Sequence, residues 1–194
     1  EMLRSLVGSE MCIRDRMLGA GAAENTVSQW ASAFAEEGLG VTKTVGDLAG
    51  PMAFAALMGT ARLIYGKWGH KLHLEKCMLG SSLLCVAAYL AIALVPNPLL
   101  SLVGCAVCGF SVGILWPGTF SKGSAAIPKG GTVMFALFAL AGDLGCSAGP
   151  TLAGMVTRVC DGNMRRGILA GIVFPLLLVL CLVFGKKRRA AAGN

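Results

Sequence analysis

Residues Cys77 to Ser121 read CMLGSSLLCVAAYLAIALVPNPLLSLVGCAVCGFSVGILWPGTFS, without a single Asp, Glu, Lys or Arg. Only Pro96-Asn97-Pro98 interrupts the apolar run. Crossing hydrocarbon as a helix takes about 20 apolar residues. The stretch is therefore two membrane spans joined by a tight turn. A second uncharged run, Gly167 to Gly185, stops at the basic cluster Lys186-Lys187-Arg188-Arg189. Composition agrees: 55% hydrophobic residues, 14% charged residues and a mean hydropathy of +0.70. Soluble domains carry about 25% charged residues, so this chain cannot cover a water-facing surface.

Working outward gives an all-α membrane protein of six spans. The first is Met17 to Phe34, the second Leu48 to Tyr65, the third Cys77 to Val95. The fourth starts near Leu99 and continues past Pro117 to Ala126. The fifth is Thr132 to Val156 and the sixth Ile168 to Phe184. Asp47 is placed to cap the second span, with Pro51 in its first turn, where a missing N–H costs little.

The first span is unusually polar. Glu24, Asn25, Ser28, Gln29 and Ser32 fall on one stripe at helical spacing, while Ala22, Ala23, Val27, Ala31 and Phe34 cover much of the rest. Such a stripe must face protein or a wet cavity. Gly46/Gly50, Gly109/Gly113, Gly145/Gly149 and Gly167/Gly171 are each four apart, the spacing that lets helices approach closely in lipid. Pro117, Pro150 and Pro175 lie inside spans and imply kinks or unwound turns. Those persist only where the freed carbonyls find partners.

Charge sets the expected orientation. One side carries Arg62, Lys67, Lys71, Lys76, Lys122, Lys129, Lys186, Lys187, Arg188 and Arg189. The other carries Lys43, Arg158, Arg165 and Arg166. The basic excess puts the carboxyl end in the cytoplasm. The net charge of +7 belongs to these loops and does not imply nucleic acid, since there is no basic helix or stacking platform. Most of the eight cysteines lie in apolar runs and act as small hydrophobes. Cys105-x-x-Cys108 has metal or redox spacing, but no second pair and no histidine accompany it. No metal or cofactor is expected.

Residues 1–16 differ in character from the rest of the chain. Glu10-Met11-Cys12-Ile13-Arg14-Asp15-Arg16 looks like a translated sequencing adapter and lacks the apolar core of a signal peptide. The expected division is a non-native head at 1–16, a six-helix unit at 17–189 and a cytoplasmic tail at 190–194.

The loop after the second span, Gly66-Lys67-Trp68-Gly69-His70-Lys71, resembles the basic cytoplasmic loop of the major facilitator superfamily. Gly66 and Lys71 fit, while His70 stands where that loop has Asp. Gly109-x-x-x-Gly113-x-x-Trp116-Pro117, with Ser121 and Pro128, resembles the tenth helix of fucose-permease-like members. Ala141-Gly142-Asp143-Leu144-Gly145 with Gly149-Pro150 is similar to their eleventh, and Gly21-Ala22-Ala23-Glu24 with Trp30 to the start of their seventh. The resemblance implies the C-terminal six-helix half of a twelve-helix transporter, with the N-terminal half as missing partner. It also implies alternating access for sugars or other small solutes, often with protons.

Glu24 and Asp143 are the acids deep in spans. Burying a charge at the bilayer centre costs about 2.5–3.5 kcal/mol on insertion scales, so they are the candidate proton or substrate groups. Asn25, Gln29, Trp30 and Trp116 are candidate solute ligands, because amides bond hydroxyls and indoles stack on sugar rings. Arg62 reads as a snorkelling or loop residue. Two rivals differ in class. One is a non-transporting assembly or anchor protein. The other is an intramembrane serine protease at Ser111, within Gly109-Phe110-Ser111-Val112-Gly113. Protease chemistry needs a base beside the serine, whereas His70 and His73 lie in the basic loop. No enzyme is expected.

Overall fold

The computed structural model describes residues 2–40, 42–69, 73–126 and 130–192. Their regular structure is helical: α1 (Met2–Leu39), α2 (Lys43–Trp68), α3 (Leu74–Leu94), α4 (Pro98–Val112), α5 (Leu115–Ala126), α6 (Gly131–Val159), α7 (Met164–Gly171) and α8 (Val173–Ala192). α4 with α5, and α7 with α8, join into the membrane-length rods Pro98–Ala126 and Met164–Gly185. Among the described residues, five rods are long and apolar enough to cross a bilayer: these two, α2, α3 and α6.

The first expected span differs. α1 is long enough but falls short in apolarity and is absent from those five. Its place in the bundle explains the composition. α1 packs against α2, α4, α5, α6, α7 and α8. Ala22, Ala23, Thr26, Val27, Ala31 and Phe34 are wholly buried among them. Protein thus covers the apolar face of this helix, while the polar stripe is the less buried one: Glu24, Asn25, Ser28 and Ser32 are half-buried and Gln29 is exposed. The helix also runs through the residues expected to form a separate head. Ile13 and Arg16 are buried, Ile13 against Met134 and Phe138.

Close approach between α1 and α6 is made by the small residues anticipated for it. A methyl on Gly145 would come within 2.8 Å of the Leu18 carbonyl carbon, and one on Gly149 within 2.9 Å of Ala22 Cα. Only hydrogen at these positions lets the two backbones touch.

Two local expectations are corrected. α2 begins at Lys43 after Thr42, not at Leu48. Asp47 therefore lies inside the helix, and its carboxylate accepts the Ser32 hydroxyl of α1 instead of capping. Pro51 lies inside α2 rather than in its first turn. Asn97 and Asn163 cap α4 and α7 through their side-chain oxygens, and Pro98 occupies the first turn of α4. Arg165 donates to the Ile92 and Val95 carbonyls, placing a cation at the C-terminal end of α3.

Candidate functional site

Helix breaks organise the site. Pro117 has no N–H to give the carbonyl four residues back, which is that of Gly113. The rod breaks there, between Val112 and Leu115. The orphaned Gly113 oxygen accepts Arg62 Nε from α2 at 3.2 Å. α6 repeats the arrangement without breaking. Pro150 frees the Cys146 carbonyl, and Asn25 Nδ2 of α1 donates to it at 3.3 Å. Each freed carbonyl is thus satisfied by a polar side chain from another helix, as hydrocarbon demands.

Beside the first break lies a cavity of about 520 Å³, lined by Glu24, Arg62, Tyr65, Gly66, Trp116, Pro117 and Phe120. That volume falls within the range of about 300–1,000 Å³ typical of small-molecule sites. Glu24 and Trp116 are half-buried, while Arg62 and Gly66 are exposed at the edge. Trp116 seats its indole on Gly142 of α6, where a methyl would come within 2.9 Å of Cζ2. Phe120 continues the aromatic wall, its ring centroid 6.2 Å from that of Trp116 and 6.3 Å from that of Phe138.

Two polar atoms of residues that line this cavity are buried without a hydrogen-bond partner: Glu24 Oε2 and Trp116 Nε1. One is an acceptor when ionised, the other a donor. Arg62 lines the same cavity as Glu24. Among the described residues, however, the two form no ion pair within 4 Å. The residues that carry an unsatisfied acceptor, an unsatisfied donor and an exposed guanidinium therefore line one recess.

A family model described as Major Facilitator Superfamily matches residues 16–150, well over half of the chain. The chain belongs to the Major Facilitator Superfamily. It is accordingly an integral membrane protein of transporter type rather than an enzyme. Comparisons with curated proteins and with solved structures gave no match.

In this superfamily member, the residues singled out from sequence do not converge on one point. Glu24 and Trp116 share the cavity. Asn25 is engaged with the Cys146 carbonyl, and its own Oδ1 accepts Ser28 Oγ at 3.3 Å. Gln29 is exposed, and Trp30 packs half-buried on the core of the bundle. Asp143 is exposed on α6 and does not line the cavity. Gly66 is at the cavity edge, while His70 and Lys71 lie outside the described residues, as does Pro128. Ser111 is buried and donates to the Cys108 carbonyl at 2.6 Å. Cys108 Sγ lies 3.8 Å from Cys85 Sγ of α3.

Arg62, Tyr65 and Phe120 are the lining residues not singled out from sequence. Arg62 was readable as a loop cation because it is near the end of α2. The available signal was Pro117: a proline inside an apolar span announces an orphaned carbonyl, and a cation at similar depth is a suitable donor.

Proposed function

We propose that this chain is the C-terminal half of a twelve-helix transporter. It would carry a small polar solute across the cytoplasmic membrane by alternating access, with its carboxyl end in the cytoplasm. The observation supporting this reading is the pair of unpartnered polar atoms, Glu24 Oε2 and Trp116 Nε1, on residues that line one cavity beside a broken helix. Leaving a buried polar group unsatisfied costs about 1–3 kcal/mol. A solute presenting a donor to Glu24 and an acceptor to Trp116 would recover it. A sugar hydroxyl has that chemistry, and Trp116 offers a face for stacking. Glu24 is also the group to carry a coupled proton. The break at Pro117 supplies a joint about which α5 can move against α4. Transporter sites lie near the midplane, between repeats, so the missing half would close the open side at Arg62.

The test is solute uptake by the full-length protein in proteoliposomes. Glu24→Gln is expected to abolish accumulation driven by a proton gradient. Normal transport by both Glu24→Gln and Asp143→Asn would remove these acids from the site.

A further inference from the structure

We propose that the cavity selects a small zwitterion, its cationic group received by Glu24 and its anionic group by Arg62. This inference rests on the reading of the cavity as the solute site. Its basis is the separation of two opposite charges that share one recess. Glu24 and Arg62 both line the cavity, yet they are not paired within 4 Å. Direct pairing would neutralise both; holding them apart leaves a carboxylate oxygen buried and unsatisfied. The arrangement is held in place rather than incidental. Arg62 is tethered through Nε to the Gly113 carbonyl that Pro117 frees. Its Nη2 lies 3.6 Å from Met58 Sδ, a weak acceptor, and the side chain is otherwise exposed.

A neutral polyol would give each charge only neutral hydrogen bonds. A solute carrying one charge would satisfy one residue and leave the other unpaired. A zwitterion satisfies both, and the site with its solute remains electrically neutral, which is the favourable condition in hydrocarbon. Arg fits the anionic end because its planar fork matches carboxylate geometry. Tyr65, Trp116 and Phe120 form an apolar wall suited to a hydrophobic substituent between or beside the charges. The solute class is therefore that of neutral amino acids with apolar side chains.

Proteoliposomes of the full-length protein provide the test, with four labelled probes: phenylalanine, phenylalaninamide, which lacks the anion, N-acetylphenylalanine, which lacks the cation, and a neutral hexose. Phenylalanine is expected to be taken up on the order of ten- to a hundredfold faster than either charge-deleted analogue. Arg62→Gln should erase discrimination against the amide while preserving that against the N-acetyl compound. Glu24→Gln should do the reverse, and Arg62→Lys should retain part of the preference. A variant that merely misfolds cannot produce this crossed pattern, and the wild-type preference needs no variant. Equal uptake of phenylalanine and its amide by the wild-type protein overturns the proposal. Uptake of the hexose in place of phenylalanine also overturns it, while keeping the transporter reading. Uptake of none of the four overturns it together with the solute-site reading.

Discussion

The bond between Arg62 and the Gly113 carbonyl exists because Pro117 cannot make it. That dependence can be measured by a double-mutant cycle. In the native chain, Arg62→Ala leaves the Gly113 oxygen without a partner beside the broken rod. A hydrogen bond to a charged group is worth about 1.5–3 kcal/mol in soluble proteins. Interhelical bonds in membranes average nearer ~0.6, with a ceiling of ~1.7, because the unfolded state in lipid also finds partners. The expected cost of Arg62→Ala is therefore about 1–1.5 kcal/mol. Pro117→Ala restores an N–H four residues beyond Gly113 and removes a residue about 3 kcal/mol worse than Ala in a helix interior. In that background the carbonyl has a backbone partner, and Arg62→Ala should cost under about 0.5 kcal/mol. The coupling energy is then about 1 kcal/mol, with Pro117→Ala alone neutral or stabilising. Steric-trap unfolding in bicelles reads all four corners of the cycle. Costs that add within about 0.5 kcal/mol would refute the claim that the proline creates the acceptor Arg62 serves.

The same logic applies on α6: Asn25→Ala should destabilise the native chain by roughly 1 kcal/mol and do much less in a Pro150→Ala background, by the same unfolding measurement. Gly145→Ala should cost about 1–3 kcal/mol, since the new methyl meets the Leu18 carbonyl carbon at 2.8 Å and Ala22 N at 3.0 Å. Gly154→Ala on the same helix meets nothing within 4 Å and should be neutral or stabilising by up to about 1 kcal/mol; equal effects from the two would dismiss close α1–α6 packing. Arg165→Met strips the cation from the Ile92 and Val95 carbonyls and should speed amide exchange in the last turn of α3 by about tenfold, with exchange in its first turn unchanged.

Membrane class, the apolar spans and the positions of the prolines were legible because hydropathy and the missing proline N–H are local properties. Asn97 and Asn163 were not anticipated as caps, although the groups they bond are only two and three residues away. The polar stripe of α1 was legible as a pattern, but not its surroundings. The structure distributes it: Glu24 to the cavity, Asn25 to α6, Ser32 to Asp47 of α2. Asp47 itself misled, because a carboxylate near a helix start caps it only if the helix starts there.

From its own letters this protein determined that its helices need hydrocarbon around them and that certain carbonyls would be orphaned at Pro117 and Pro150. Which side chains answered those carbonyls was decided by tertiary packing, with Arg62 coming from 51 positions away and Asn25 from 121. The rotation of α6 likewise set Gly142 under Trp116 and left Asp143 exposed, though the two are neighbours in the chain. Depth within a span follows from counting residues, but the face a residue presents follows from how whole helices dock, and no short stretch of sequence contains that.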